Sequence, residues 1–106
     1  MPDSRPLSLA SVRVLTAIAD GAKHGFDIMD TAELASGTVY PILARLEKAG
    51  LVHGRWESPT TAQRDKRPPR RYYEITAIGS KELARSAQYY RTLGGSGFPL
   101  PKPSRG

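Results

Sequence analysis

A stretch in the middle of the chain has the clearest hydrophobic pattern in the sequence. Val39, Ile42, Leu43 and Leu46 recur at i, i+3, i+4 and i+7, the spacing of one apolar helix face. The outer side of this predicted helix is small at its centre and basic or hydroxylic around it: Gly37, Pro41, Ala44 and Lys48, with Tyr40 and Arg45 on the flanks. Such a surface can lie close against a groove, so we interpret the stretch as a recognition helix.

Two kinds of residue set the expected ends of this helix. Pro41 has no backbone N–H and is best tolerated in a first turn, which favours a start near Thr38. Ser36 and Thr38 are both candidates for the N-cap. Gly50 is predicted to end the helix as its C′ residue.

Two helices are predicted before it. The first begins at Ser8 and stops at Asp20-Gly21. Its apolar stripe is expected to form core and, in part, to face a second subunit: Leu9, Val12, Leu15, Ile18 and Ala19. The second helix starts at about Gly25 and carries Phe26, Ile28, Met29 and Leu34. Two helices joined by a tight glycine-containing turn, the second more basic than the first, are typical of a helix-turn-helix.

Beyond the recognition helix the pattern is that of a strand. Residues 51–57 predict one strand, with Val52 and Trp56 among its apolar positions. Gly54 is a candidate β-bulge within it.

A second strand and a long loop complete a predicted wing. Residues 58–69 are polar, proline-containing and charged, so they are predicted to form a loop. Residues 70–76 predict a second strand, with Tyr72 and Tyr73 on opposite faces. Two strands around a long loop, directly after a helix-turn-helix, are typical of a winged helix.

The C-terminal part predicts one helix and a tail. Thr76 is expected to cap a helix that continues to about residue 93. Its apolar side holds Ile78, Leu83, Ala87, Tyr90 and Leu93. The expected organisation is a flexible arm at 1–7, a DNA-binding domain at 8–75, a dimerisation helix at 76–93 and a disordered tail at 94–106.

Composition narrows the class of protein. The 106 residues suffice for one small domain, and 16 Lys and Arg against 10 Asp and Glu give a net charge of +6. This balance favours a polyanionic partner, most often nucleic acid. The absence of cysteine excludes disulfides and thiolate chemistry. No apolar run is long enough for a membrane span and the first residues do not resemble a signal peptide, so we expect a cytoplasmic protein without a membrane partner.

The positive charge is concentrated in the predicted wing. Residues 55–71 contain six cations and two carboxylates, which gives this segment a local charge of +4. The cations are Arg55, Arg64, Lys66, Arg67, Arg70 and Arg71. A basic loop beside a recognition helix suits phosphate contacts, and an arginine at its tip can enter a minor groove. The alternative is a solvated loop whose charge is incidental.

Individual residues of the helix suit particular contacts with DNA. Thr38 and Tyr40 can donate hydroxyl hydrogen bonds to phosphate, and Arg45 can reach a phosphate or a guanine edge. Lys48 is either a phosphate contact or merely exposed. Tyr40 can equally be a residue at the edge of the core with a solvated hydroxyl.

Other chemistries find little support in the chain. His24 and His53, without cysteine or matched carboxylates, do not form a zinc site, so no metal is expected. No catalytic constellation or phosphate-cradling loop is present, and we expect neither an enzyme nor a cofactor. A winged-helix module for protein–protein or RNA contact is the alternative to a DNA-binding regulator.

Three segments resemble the PadR family of transcriptional regulators: Gly25-Phe-Asp-Ile28, Ser36-Gly-Thr-Val-Tyr-Pro-Ile-Leu-Ala-Arg-Leu-Glu-Lys-Ala-Gly-Leu-Val52, and Arg70-Arg-Tyr-Tyr-Glu-Ile-Thr-Ala-Ile-Gly79, with Leu83 after them. The resemblance covers roughly residues 8–85. It implies a mostly helical α+β fold, a winged helix-turn-helix with a two-stranded wing and a C-terminal dimerisation helix. It also implies a homodimer that represses transcription from a pseudo-palindromic double-stranded operator, often in response to a small molecule.

Pattern and resemblance together define two sets of candidate residues. Those for DNA binding are Ser36, Gly37, Thr38, Tyr40, Pro41, Arg45, Lys48, Arg64, Lys66, Arg67 and Arg70. Those for the dimer interface are Leu9, Val12, Leu83, Ala87, Tyr89, Tyr90 and Leu93. Larger members carry a long C-terminal helical domain, whereas this chain has one helix there. The short form offers less surface for an effector pocket, and the sequence names no effector.

Overall fold

The computed structural model describes residues 5–94, which form five α-helices and a two-stranded sheet. In chain order the elements are α1 (Leu9–Ala19), α2 (Gly25–Ala32), α3 (Ser36–Lys48), β1 (Val52–Trp56), α4 (Pro59–Arg64), β2 (Arg71–Ile75) and α5 (Ala77–Gly94). This confirms the predicted α+β class with a two-stranded sheet after a pair of helices. No helix in the described range combines the length and apolar character needed to cross a bilayer.

The predicted terminal segments fall largely outside the described residues. The tail predicted at 94–106 lies beyond them except for its first residue, and so do the first four residues of the arm. The rest of the arm is held on α5. The Leu7 amide donates to Ser86 Oγ at 2.9 Å, and the Tyr90 hydroxyl donates to the Leu7 carbonyl at 2.6 Å.

Helix α1 is the centre of the core. Ser8, where the helix was expected to begin, is its N-cap and accepts a hydrogen bond from the Ser11 amide at 3.1 Å. The buried side is wider than the predicted stripe, since Ser11 and Ala17 are buried, whereas Ala19 is exposed. The reason is that α2, α3, β2 and α5 all pack around this helix.

Helix α3 begins earlier than predicted. Its first residue is Ser36, not Thr38, and its N-cap is Ala35, so neither predicted hydroxyl is the N-cap. The Val39 amide donates to the Ala35 carbonyl at 3.0 Å and closes the first turn there. Pro41 therefore lies inside the helix, where it lacks the N–H that would bond four residues back.

The end of α3 is as predicted. Gly50 has φ +80°, a left-handed conformation that glycine adopts without steric cost. The Gly50 amide donates to the Glu47 carbonyl and the Leu51 amide donates to the Leu46 carbonyl, which together form a Schellman motif. This turn directs the chain from the recognition helix straight into β1.

The two strands pair in one uninterrupted antiparallel register. Val52 lies opposite Ile75, and Gly54 lies opposite Tyr73, so the predicted bulge at Gly54 is wrong. A Cβ added at Gly54 would lie 2.9 Å from the Arg71 guanidinium and 3.0 Å from Glu47 Oε2, so these two side chains would have to shift to admit it. The link between α1 and α2 also pairs with β2, since the Tyr73 amide donates to the Lys23 carbonyl at 2.8 Å.

The predicted wing loop contains a short helix, α4. Ser58 is its N-cap and accepts a hydrogen bond from the Thr60 amide at 3.2 Å, and Pro59 occupies the first turn. Ala62 is only 1% exposed, so this turn folds back and is covered. A serine followed by proline is a helix-start signal that the sequence analysis did not weigh against the polar composition of the loop.

Helix α5 begins where predicted and is closely packed at its first turn. The Thr76 hydroxyl accepts a hydrogen bond from the Gly79 amide at 3.0 Å, which confirms the predicted cap. Ile78, predicted on the apolar side, is 64% exposed. Gly79 is the residue of this turn that faces the rest of the fold, since a Cβ on it would lie 2.0 Å from the Leu51 carbonyl oxygen.

We expect Gly79→Ala to destabilise the fold by about 1–3 kcal/mol, because the new methyl would meet backbone that cannot move cheaply. Gly37 is the matched control, since a Cβ there meets nothing within 4 Å. Gly37→Ala should leave the free energy of unfolding unchanged or raise it by up to about 1 kcal/mol. Urea denaturation followed by circular dichroism measures both changes, and an equal effect of the two substitutions would contradict the close packing at Gly79.

Candidate nucleic-acid interface

Helix α3 presents a polar outer face that the other described residues leave exposed. Its four apolar residues, Val39, Ile42, Leu43 and Leu46, are buried. Six of the candidate DNA-binding residues lie on its exposed sides: Ser36, Gly37, Thr38, Pro41, Arg45 and Lys48. Within residues 5–94 the side chains of Ser36, Thr38, Arg45 and Lys48 form no hydrogen bond or ion pair. These hydroxyl and cationic groups are free to contact a ligand.

Tyr40 lies on the flank of α3 that faces α2. It is 47% exposed, and its hydroxyl lies so close to Gly25 that a Cβ on Gly25 would be 2.0 Å from it. Glycine at the start of α2 therefore makes room for this tyrosine. Tyr40 packs against α2 and still presents surface to solvent, so the structure is compatible with both interpretations of this residue.

The wing is built around a buried carboxylate, Glu57, which is 6% exposed. Its two oxygens accept hydrogen bonds from Arg67 Nη1 at 2.5 Å and from Arg67 Nη2 at 2.7 Å. The Arg70 amide at 3.1 Å and the Tyr72 hydroxyl at 3.2 Å complete the set. The hydrogen bonds from Arg67 are the main reason that the pKa of Glu57 falls to about 2, against the opposing effect of burial. The same pair raises the pKa of Arg67.

This arrangement gives the Arg67 guanidinium partners within the wing. The sequence analysis placed it among the DNA contacts, but its side chain is only 21% exposed, and its guanidinium is held by Glu57 and by Asp65 at 3.2 Å. Its donors are directed into the wing and not towards a phosphate. Arg64 and Lys66, in contrast, are exposed, and the described structure gives neither an ion pair. Arg64 is the last residue of α4 and Lys66 lies in the turn after it, so both present their charge to solvent.

Arg71 joins the wing to the recognition helix. Its Nη2 atom lies 2.5 Å from Glu47 Oε2 on α3, and its guanidinium carbon lies 5.3 Å from the centre of the Trp56 ring. Arg70 approaches His24, with 3.3 Å between its Nη1 and the imidazole Nε2. Asp27 approaches the same nitrogen, with 3.4 Å between its Oδ2 atom and His24 Nε2. The wing therefore contacts both helices of the helix-turn-helix.

A cleft of about 500 Å³ separates the wing from the two helices. Its walls are the start of α2, Tyr40, Trp56 and the segment from 67 to 71. Two of its aromatic side chains are unusually exposed, Phe26 at 73% and Trp56 at 65%. The sequence analysis named both residues only as apolar positions. Their exposure depends on how the sheet meets α2, which hydrophobic periodicity does not predict.

The candidate dimer residues fall into two groups. Val12 is 1% exposed and Leu9, Leu83 and Ala87 are half-buried, so most of their surface is used within the chain. Val12 in particular has no surface left for a second copy. Tyr89, at 45%, and Leu93, at 64%, are exposed four residues apart on α5. Tyr90 is half-buried, and its hydroxyl donates to the Leu7 carbonyl. Its ring is edge-on to the Tyr89 ring, with 5.3 Å between the ring centroids.

The two histidines lie apart in the structure. His24 is half-buried beside β2, and His53 is exposed on β1. Among residues 5–94 no three histidine or acidic side chains are grouped so as to hold a metal ion.

The helix pair α2–α3 followed by the β1–β2 wing defines a winged helix-turn-helix protein. Residues 14–85 match the PadR-like family of transcriptional regulators, and the chain belongs to that family. The predicted family is therefore confirmed. Membership of this family of transcriptional regulators implies that the chain binds DNA. No curated protein matches the chain in sequence.

Solved structures share the fold over most of the chain. A PadR-like transcription factor from Bacteroides fragilis is 26% identical, with a TM-score of 0.64, over 78% of this chain and 81% of that one. A PadR family regulator from Clostridium difficile R20291 is 20% identical, with a TM-score of 0.69, over 81% and 91% of the two chains. BpsR from Bordetella bronchiseptica, whose DNA binding is regulated by 6-hydroxynicotinic acid, is 20% identical, with a TM-score of 0.69, over 97% and 73%.

We expect the stability provided by Glu57 to depend on pH with a defined sign. The pKa of Glu57 in the fold, about 2, is below the ordinary value of 4.5, so its ionised form stabilises the fold at neutral pH. This contribution is lost as the pH falls from about 4.5 to about 2. Glu57→Gln should therefore be less stable than the parent chain at neutral pH, with a difference that shrinks across this window.

Glu74, an exposed carboxylate on β2, provides the control for this measurement. Glu74→Gln should change the free energy of unfolding little at either end of the window. Denaturant unfolding at several pH values measures both variants. A stability difference for Glu57→Gln that stays constant down to pH 2 would contradict the ion pair.

Proposed function

We propose that the chain is a cytoplasmic repressor that binds a pseudo-palindromic operator as a homodimer. Helix α3 enters the major groove, with Ser36, Thr38 and Tyr40 on phosphates and Arg45 on a guanine edge or a phosphate. Gly37 and Pro41 allow the helix to approach the bases closely, and Lys48 adds a phosphate contact. The wing contributes Arg64, Lys66 and Arg70 to the backbone and the adjacent minor groove.

One observation carries this proposal: the outer face of α3 is a row of polar and cationic side chains without partners in the described structure. Buried apolar residues fix that face outward, and the wing is joined to the same helix through Arg71 and Glu47. Free cations held in a fixed arrangement are what a phosphate backbone requires. Arg67 is left out of the contact set because Glu57 occupies its guanidinium.

The dimer is proposed to form through α5 together with α1. Tyr89 and Leu93 are exposed on one side of α5, where a second copy would remove them from water. A two-fold axis would then place the two α3 helices about 34–36 Å apart, one turn of DNA. Repression would follow from occlusion of the polymerase. Control by a small-molecule effector stays a prediction of the family resemblance.

The first test separates base contacts from phosphate contacts. Fluorescence anisotropy compares a duplex from the upstream region of the chain's own gene with a scrambled duplex at two salt concentrations. Arg45→Ala should weaken binding to the specific duplex by about 1–3 kcal/mol and affect the scrambled duplex less. Arg64→Ala should weaken both alike and lower the salt slope by about one unit.

Gln63, the exposed neutral neighbour of Arg64 on α4, is the matched control. Gln63→Ala should leave the salt slope unchanged. Identical behaviour of Arg45→Ala and Arg64→Ala would show that the two roles are wrongly assigned. A parent chain that binds neither duplex at low salt would support the protein-contact alternative.

The second test concerns the dimer. Leu93→Glu places a carboxylate at an exposed apolar position of α5, so it should shift the chain from dimer towards monomer without disturbing the core. Leu93→Met keeps the apolar character and should remain dimeric. Light scattering gives the mass of each variant. An unchanged mass for Leu93→Glu would place the interface elsewhere.

A further inference from the structure

The cleft between the wing and the helix-turn-helix lies between two elements that are proposed to enter neighbouring grooves. Tyr40 of α3 is on one wall, and Trp56 at the end of β1 is on the other. In a B-form duplex a single sugar–phosphate strand separates the major groove from the adjacent minor groove. If α3 and the wing occupy those two grooves, that strand must pass between them.

The lining of the cleft has the chemistry of such a strand. Phe26, Trp56, Pro68 and Pro69 provide apolar surface. Of the three arginines in the lining, Arg67 and Arg71 are paired with Glu57 and Glu47, and Arg70 forms no ion pair among residues 5–94. Deoxyribose offers an apolar face and phosphate offers negative charge. The start of α2 adds the partial positive charge of a helix N-terminus.

The exposed aromatic residues require an explanation of their own. Trp56 and Phe26 keep 65% and 73% of their surface exposed, although large aromatic side chains gain stability from burial. Trp56 is nevertheless held in place, because Arg71 stacks over its ring and is itself paired with Glu47. An exposed aromatic ring that is fixed in place beside the Arg70 guanidinium can pack against the sugar of a strand whose phosphate meets that arginine.

We propose that this cleft binds the sugar–phosphate backbone of one DNA strand, with Trp56 and Phe26 against deoxyribose and Arg70 on a phosphate. The inference rests on the proposed function and adds two contact residues to it. The contacts are independent of base sequence, so they supply affinity and fix the position of the wing relative to α3.

Trp56 is the single tryptophan of the chain, so its fluorescence reports on the cleft directly. The experiment titrates the full chain with an unlabelled random-sequence duplex at low salt and follows tryptophan emission. A labelled copy of the same duplex gives the binding midpoint by anisotropy. We expect the emission to change and to saturate at that same midpoint.

Substitutions distinguish an apolar contact from a charged one. Trp56→Ala and Phe26→Ala should each weaken binding about five- to tenfold with an unchanged salt slope, because neither removes a charge. Trp56→Phe should retain most of the affinity, since it keeps an aromatic ring. Arg70→Ala should instead lower the salt slope by about one unit.

Ile78→Ala is the control, because Ile78 is a similarly exposed apolar residue outside the cleft. Circular dichroism confirms that each variant is folded. If the duplex binds without a change in emission, and Trp56→Ala binds like Ile78→Ala, the cleft does not hold the strand and the inference is overturned. An emission change with anilinonaphthalene sulfonate but not with duplex would overturn it too and assign the cleft to a small molecule. Failure of every duplex to bind would instead overturn the proposed function itself.

Discussion

The arrangement of the wing depends on one buried carboxylate. An ionised side chain with 6% exposure is tolerated only when its oxygens are satisfied, and Glu57 satisfies both through Arg67, the Arg70 amide and the Tyr72 hydroxyl. These partners come from the far end of the wing loop and from β2. The ion pair therefore closes the loop at its base and sets the position of α4 between its ends.

The same constraint separates the cations that are paired within the fold from those that are not. Arg67 is committed to Glu57, whereas Arg64 and Lys66 are exposed and form no ion pair or hydrogen bond through their side chains within residues 5–94. Arg71 is committed to Glu47, which ties the strand to α3. Two arginines thus hold the geometry through carboxylates, whereas Arg55 lies over the Tyr72 ring and Arg70 approaches His24. A local charge of +4 in the sequence does not distinguish these roles, although they differ completely in function.

The sequence predicted the helix-turn-helix, the two strands and the family because each has a local signal. The buried positions of α3, the glycine after it and the Thr76 cap follow from periodicity and capping, and all three are confirmed. The start of α3 was missed because the Ala35 carbonyl closes its first turn and no side-chain cap marks it. The absence of a bulge at Gly54 was missed because it depends on the pairing of β1 with β2. The Gly54 position is kept free for the Arg71–Glu47 pair, whose members are far apart in sequence.

The candidate site shows the same division. Arg45 and Lys48 are exposed because the apolar spacing of α3 fixes which side of the helix is buried, and the pattern placed both residues on the outer side. Burial of Glu57 requires that residues 67–72 fold back on it, which no local pattern encodes. Phe26 and Trp56 are exposed because the wing meets the start of α2 at His24 and leaves a cleft beside that contact. A wing held at a fixed distance from the recognition helix can accept a duplex strand without reorganising. The conformational entropy of ordering the wing is then lost on folding and not on binding.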